Sequence, residues 1–403
     1  MKTTWEQKLE RLFGLAMVVM FIWGVSIGSV MVWGTAAATL VLMLSRLLVG
    51  FVPTKQTENL VTPPRPETRK IQVGRTRVVV PKSDSGDDAS AKLIEQLIEA
   101  GRTALLCRPE LAERLSPEQQ QYIREILNED MARVSGGRVR LDPPPTFGPF
   151  ELGDCQWVEA ESAYLDRFPV TNHQFKRFVD DGGYKDQSVW DADVFSATRT
   201  FVDQTGKPGP RFWKNSTYNQ GGDDHPVVGV NWYEAQAYAR WVGKRLPQDA
   251  EWVLAAGGSL GPAESISGQP KYPWGNVFDE DHANLWATDR SKTVPVTDHP
   301  DGCGSEEIYQ LIGNVWEWMV DDYAGHDDLE QNFDFSRTLK SIRGGAFDTY
   351  FENHATCQFQ SGENPFSRKH NIGIRCILSI DDIAPELALP IETEASEMAV
   401  CAV

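Results

Sequence analysis

From Leu12 to Ser45 the chain has no charged residue, and after Arg46 the apolar character resumes as far as Val52. A single helix over this stretch, ~41 residues at ~1.5 Å each, would be ~60 Å long against a hydrocarbon core of ~30 Å. Two spans of ~17–20 residues fit that thickness better, with a break near Ser26-Ile27-Gly28-Ser29. Lys2, Lys8 and Arg11 precede the first span, and Arg46 and Lys55 end the second. A hairpin places both basic groups on one side, which the positive-inside rule makes the cytoplasm. The expectation is therefore an integral protein of the cell membrane, with a transmembrane hairpin over 1–52 and a cytoplasmic remainder. One long tilted span with the remainder outside is the alternative. A cleaved signal peptide is disfavoured, because the apolar region far exceeds an h-region of about 7–15 residues. Trp23 and Trp33 fall near the expected turn, where an interfacial belt or simple packing would place them.

Residues 53–89 read as a linker, with Pro53, Pro63, Pro64 and Pro66 among Thr, Lys and Arg, and room for one short strand at Arg77–Val80. A small helical region over 90–137 follows. Its first helix starts near Ser90, with Leu93/Leu97 and Ile94/Ile98 at i, i+4 spacing. In the second, Ser116, Pro117 and Gln119 form a capping box ahead of Tyr122, Ile123, Ile126 and Leu127, and Gly136-Gly137 is the stop. Such a pair either docks a partner or packs on the main domain, and packing is the simpler reading. Pro143-Pro144-Pro145 marks a boundary.

A loop-rich domain is expected over 147–380. Helices are predicted over Thr171–Val179 and over Asn231–Val242, the latter capped by Asn231 with Glu234 three residues on and stopped by Gly243. A further helical stretch runs from Pro247 through Glu251, Trp252 and Leu254 to Gly257. The rest is short apolar runs between Gly, Asn and Asp. With 13 Trp and 33 Gly, aromatic packing is what would hold so many loops. The tail after Ile380, with Asp381, Asp382, Glu386, Glu392, Glu394 and Glu397, reads as an acidic disordered tail over 381–403. A formal charge of -18 argues against a nucleic-acid partner. Cys107, Cys155, Cys303, Cys357, Cys376 and Cys401 form no CxxC pair, so neither a zinc site nor a disulfide framework is indicated.

Seven blocks, in order, carry a resemblance: PVTNHQF (Pro169–Phe175), HPVVGVNWYEAQAYARWVGKRLPQDAEW (His225–Trp252), YPWGN (Tyr272–Asn276), Ala283-Asn284, GNVWEW (Gly313–Trp318), RGGAF (Arg343–Phe347) and NIGIRC (Asn371–Cys376). The stretch resembles the formylglycine-generating enzyme, or sulfatase-modifying factor, family. The resemblance implies an α+β, C-type-lectin-like fold with sparse secondary structure. It also implies a cysteine pair, downstream of the RGG motif, that binds copper and activates oxygen. Counted from Gly344-Gly345, those positions fall on Thr349 and His354, neither a thiol. Copper is accordingly not expected, since thiolates are the soft ligands that hold Cu(I). Cys357 lies three residues past His354; on a strand, i and i+3 point to opposite faces, so the two make a poor joint site. A buried Cys acting as a small apolar residue is the plainer reading.

A second branch of the resembled family makes sulfoxides with iron held by a His-rich helical domain. His173, His225, His282, His299, His326, His354 and His370 show no HxxxHxE pattern, which disfavours it. No P-loop, HExxH or nucleophile elbow is present. Calcium is the metal that the resemblance leaves. One site would use the side chains of Gln310 and Glu317 and the carbonyls of Gly313 and Val315. A second would use Asn284 and the Leu285 carbonyl, with Asp289 standing in for a missing acid. Oxygen donors with a carboxylate suit a hard cation, and Gln310 in place of an acid or Asn weakens the first set. Three functions remain open. The first is an inert binding or scaffold module at the membrane with a protein partner. The second is an enzyme of altered, metal-dependent chemistry using His354 or Cys357. The third is a lectin-like receptor reading a ligand with the 348–370 loop.

Overall fold

The computed structural model describes residues 69–70, 86–143, 155–257, 269–304, 306–323 and 338–388, all within one compact unit spanning 66–403. No helix among the described residues is long and apolar enough to cross a membrane. The expectation of an integral membrane protein is corrected on that finding. The 1–52 segment that prompted it lies outside the described residues, as does the strand expected at Arg77–Val80.

Strand β1 (Arg69–Lys70) is followed by a helical segment: α1 (Gly86–Glu99), α2 (Thr103–Leu106), α3 (Pro109–Ala112) and α4 (Pro117–Asp130). Helix α1 thus begins before Ser90, and α2 and α3 are short turns of helix with no periodic signal to announce them. The α4 capping box forms as read: Ser116 Oγ accepts from Gln119 N (3.2 Å), and Gln119 Oε1 accepts from Ser116 N (2.9 Å). Helix α4 ends at Asp130 rather than at Gly136-Gly137, because Met131–Val134 form strand β2. Strands β3 (Gly137–Leu141), β4 (Gln156–Ala160) and β5 (Ala163–Asp166) follow. The boundary expected at Pro143-Pro144-Pro145 therefore falls between β3 and β4, which pair antiparallel with Val139 opposite Val158.

Helices α5 (Asn172–Asp180), α6 (Trp232–Val242) and α7 (Asp249–Gly257) precede strands β6 (Trp316–Asp322), β7 (Lys340–Arg343), β8 (Gln360–Glu363), β9 (Ile372–Gly373) and β10 (Ile377–Ser379). The mixture of helices and short strands is the α+β content expected. Three small sheets form, in the orders β1-β4-β3, β10-β5-β2 and β8-β7-β6-β9. The second sheet is covered on both faces. Met131, Tyr164 and Leu378 pack with Ile94, Leu106 and Ile123 of the helical segment, while Ala132, Leu165 and Ile377 pack with Trp252 and Ile312. Alternation along a strand accounts for the split, and burial of both faces for the unbroken apolar run Ala163–Leu165. Each large apolar side chain so buried contributes about 1.5–3 kcal/mol.

The last residues also pack rather than trail. Ile380–Asp382 and Pro385–Leu387 form 3-10 turns, Ile383, Ala384 and Leu387 are buried against the helical segment, and Ala384 N donates to Cys107 O (2.7 Å). This corrects the reading of 381–388 as disordered tail; residues 389–403 lie outside the described residues. The loops are held by side chains acting as backbone partners. Asp203 is typical: its carboxylate accepts from Thr205 N and Oγ1 (2.7 Å each), Lys207 N (3.1 Å) and Ser216 N (2.7 Å). Burial works to raise this carboxyl, but those donors outweigh it and hold it below the usual carboxylate range.

Candidate functional site

The GNVWEW block runs from a loop into β6, and Glu317 sits inside that strand, fully buried. Strand β7 lies on one side, with Glu317 opposite Arg343, and β9 on the other, with Glu317 opposite Gly373. Arg375, also fully buried, donates from Nη2 to Glu317 Oε1 (2.7 Å) and from Nε to both carboxylate oxygens (3.0 Å each). Trp252 Nε1 donates to Oε2 (2.8 Å). The remaining Arg375 donors go to the carbonyls of Asp166 and Tyr309 (2.8 Å each). An ion pair saturated in this way gives a dry interior a fixed charge arrangement.

Gln310 points elsewhere. Its Nε2 donates to the carbonyls of Pro295 and Asp298 (2.9 Å each), and its Oε1 accepts from Asn314 Nδ2 (2.6 Å). Asn314, at φ +64°, is the hub. It also donates to Val294 O (3.0 Å), and its Oδ1 accepts from Val294 N (2.9 Å) and Asn284 Nδ2 (3.1 Å). Gly313 is in the left-handed region at φ +83°, where an added Cβ would lie 2.7 Å from Asn284 O; its own carbonyl accepts from Val315 N (2.8 Å). Asn284 Oδ1 accepts from Thr288 Oγ1 (3.1 Å), and the Leu285 carbonyl accepts from Thr288 N and Oγ1 (3.0 and 2.8 Å). Asp289 ends that short turn in the left-handed region. As arranged, these donors do not fit a calcium ion. The Glu317 carboxylate is bound to a guanidinium, and the oxygens of Gln310, Gly313, Asn284 and Leu285 accept from amides or a hydroxyl, whereas calcium takes about six to eight oxygens. Among the described residues, no group of three or more His, Cys, Asp or Glu could hold a metal.

Thr349 closes the turn after Gly344-Gly345: its Oγ1 accepts from Ala346 N (2.9 Å) and its N donates to Ala346 O (2.8 Å). His354 ends a 3-10 turn, Glu352–His354, and stacks on Phe359 at 4.5 Å between ring centroids. Cys357 is buried, with its Sγ near Ala256 O (3.5 Å) and its N donating to Lys271 O (3.0 Å). Burial pushes its thiol up to about 12, so it is a thiol and not a thiolate at neutral pH. His354 and Cys357 lie in turns rather than on a strand, which corrects the parity argument. They are nonetheless held apart in role, one in an aromatic stack and the other sealed.

Beside Thr349 stands an exposed aromatic ledge that single-residue reading missed. Trp286 (53 % exposed), Tyr350 (68 %) and Phe351 (57 %) form a chain of edge contacts, Trp286–Tyr350 at 6.1 Å and Tyr350–Phe351 at 5.1 Å. Phe351 continues it to His354 at 5.2 Å. The available signal was Tyr350-Phe351 side by side in a polar loop, where alternation exposes at least one ring.

A family model, the sulfatase-modifying factor enzyme 1-like domain, matches residues 117–380. The chain belongs to that family. The sulfatase-modifying factor enzyme 1-like match begins in helix α4 and so takes in β2 and β3. The inactive C-alpha-formylglycine-generating enzyme 2 of Bos taurus is 29% identical over 282 residues, covering 61% of this chain and 87% of the relative. The formylglycine-generating enzyme of Thermomonospora curvata is also 29% identical, over 299 residues, covering 61% of this chain and 92% of the relative. Similarity to a protein named inactive and to one named as the enzyme is thus equal, and activity must be argued from the site. A serine/threonine-protein kinase pkn1 of Chlamydia caviae is 28% identical over 282 residues, 68% of this chain; the match spans 42% of that kinase's length.

Proposed function

We propose that this chain is a member of the sulfatase-modifying factor enzyme 1-like family that does not oxidise cysteine, and that it works as a binding module for a protein partner. The observation that carries the reading is the chemistry at the three positions where thiolate copper ligands would be sought. Thr349 spends its hydroxyl on its own turn, His354 is stacked on Phe359, and the Cys357 thiol is sealed and protonated. The soft thiolate ligands that hold Cu(I) are lacking here, since Thr349 and His354 supply none and the Cys357 thiol is buried and protonated. What these positions present instead is the Trp286–Tyr350–Phe351 ledge, and exposed contiguous aromatic surface marks protein-binding faces.

The test has two arms. The purified 403-residue chain is loaded with copper, given oxygen and a sulfatase-derived cysteine peptide, and the peptide is followed by mass spectrometry. No conversion of cysteine to aldehyde is expected, and turnover that tracks bound copper overturns the reading. In the second arm a photo-reactive side chain at position 350 is used in the native host. A discrete cross-linked partner is expected, and it should be lost when Trp286 and Phe351 are both changed to Ala. The absence of any discrete adduct overturns the binding role.

A further inference from the structure

Three buried carboxamides, Asn284, Gln310 and Asn314, tie the 292–298 loop to the turn at 310–314. Each amide nitrogen donates twice. Gln310 Nε2 lies between the carbonyls of Pro295 and Asp298, Asn314 Nδ2 between Val294 O and Gln310 Oε1, and Asn284 Nδ2 between Lys292 O and Asn314 Oδ1. Each amide oxygen accepts at least once. A carboxamide has two N–H donors, so none of the three is left with a spare one. The carbonyls of Pro295 and Asp298 only accept, which fixes the nitrogen of Gln310, and not its oxygen, between them. A network satisfied throughout specifies one arrangement of the loops that it joins.

Gln310 holds its place at a cost in backbone strain. Its φ is +54°, and that of Asn314 is +64°. The left-handed region suits Asn but is uncommon for a long side chain such as Gln. Such a conformation persists where the surroundings over-determine it, and here they are two carbonyls and a neighbouring amide.

The resemblance would place a divalent ion among Gln310, Gly313, Val315 and Glu317, and the charges oppose it. Arg375 Nη2 donates to Tyr309 O (2.8 Å) and to Glu317 Oε1 (2.7 Å), so a guanidinium already spans the run from 309 to 317. Arg375 and Glu317 are both fully buried. A divalent ion added there would set three positive charges against one carboxylate in the interior, and an uncompensated buried charge is costly. As it stands, Arg375 offsets Glu317 one for one, and Gln310 meets its two carbonyls with the positive end of a neutral dipole.

We propose that the Gln310 carboxamide stands in the place of a cation: its Nε2 does for the Pro295 and Asp298 carbonyls what a metal ion does for oxygen ligands, and the loops from 284 to 315 are stapled without calcium. The staple reaches the turn that carries Trp286, since Asn284 Oδ1 accepts from Thr288 Oγ1 (3.1 Å) at the end of that turn. It does not depend on the reading of the aromatic ledge. Gln310→Glu would replace the nitrogen with an oxygen, turning two attractive contacts into repulsive ones. The second carboxylate would also halve the excess charge that a divalent ion meets, and with the two carbonyls it offers the donors that a hard cation takes.

The experiment is thermal melting of the full chain, unaltered and as Gln310→Met and Gln310→Glu, in EGTA and in excess calcium chloride, followed by circular dichroism. The unaltered chain should melt at the same midpoint in both. Gln310→Met leaves two carbonyls and Asn314 Nδ2 short of a partner, so its midpoint should fall by about 4 °C or more, equally in both. Gln310→Glu should melt lower still in EGTA, and calcium should raise its midpoint, as a ligand bound only by the folded state does. If neither variant folds, the unaltered chain decides, and a midpoint indifferent to EGTA upholds the proposal. A midpoint of the unaltered chain that drops in EGTA and returns with calcium overturns it. So does a Gln310→Met midpoint equal to that of the unaltered chain, or a Gln310→Glu midpoint that calcium does not move.

Discussion

Arg375 joins three segments through one guanidinium: β6 through Glu317, β5 through the Asp166 carbonyl, and the 309 loop through the Tyr309 carbonyl. Replacing it with Met leaves Glu317 charged, buried and held only by Trp252. Breaking a buried pair in this way costs about 3–5 kcal/mol. Urea unfolding of Arg375→Met should show that loss, and adding Glu317→Leu should recover part of it, because the isolated charge is then gone. The neighbouring Asp321 gives a pH signature. Burial first, and then the charge of Asp249, raise its carboxyl to about 6, while the Asp249 N–H and Arg343 pull the other way. A carboxyl raised on folding binds its proton more tightly in the native state. Native stability therefore falls as pH rises from about 4 to about 6, by at most about 3 kcal/mol, and the penalty is fully present above that window. In Asp321→Asn the difference from the unaltered chain should be near zero at pH 4 and should favour the variant by pH 7. Denaturant midpoints at the two pH values check this, and a constant difference would refute it.

At the scale of elements, the helices are decided locally, and so were readable. Helix α6 opens with Asn231 Oδ1 accepting from Glu234 N (2.9 Å) and Glu234 Oε2 accepting from Asn231 N (2.9 Å), and it closes on Gly243 at φ +85°. The structure adds what no cap pattern could carry. Glu234 also pairs with Arg368, 134 residues away, and accepts from Tyr184 Oη (2.6 Å). A Cβ on Gly243 would sit 2.7 Å from Leu105 Cδ2 and 3.0 Å from Leu105 N. Asn231→Ala should cost about 0.5–2 kcal/mol. Gly243→Ala should cost more than the roughly 1 kcal/mol of left-handed strain alone, because α2 must also move. Thermal melts of both variants, ranked Gly243→Ala below Asn231→Ala, check the order. The strands were not readable for the opposite reason. Strand β5 is four residues buried on both faces, and its partners β2 and β10 lie some 30 and 210 residues away, so neither periodicity nor a hairpin turn announces it. The candidate site divides likewise. Glu317, Gln310 and Asn284 stood out because the resemblance flags them. Arg375 and Asn314, which set what those side chains actually do, did not, since their roles exist only once distant segments meet.

For the molecule as a whole, the question is whether the helical segment is an accessory or part of the domain. Proline at 143–145 and the change in texture after it favour an accessory. The packing argues otherwise. Strand β2 hydrogen-bonds β5 along its whole length, from Met131 opposite Asp166 to Val134 opposite Ala163. Strand β3 covers β4 from Gly137 opposite Ala160 to Leu141 opposite Gln156. Tyr164 and Leu378 have their cover only in the helical cluster, and Ile383 and Leu387 return to the same cluster from the other end of the sequence. A chain beginning at residue 144 would therefore expose one face of β5 and β10 together with three unpaired strand edges, one on β5 and both on β4, a template for aggregation. Expressed alone, that chain should be insoluble or should unfold without a cooperative transition. A chain beginning at residue 86, which keeps α1 through β3, should show a single sigmoidal melt. Equal solubility and equal melting midpoints for the two would mean that β2, β3 and the helices contribute no net stability. That outcome cannot be reconciled with nine strand-to-strand residue pairs and a shared apolar cluster on the same sheets.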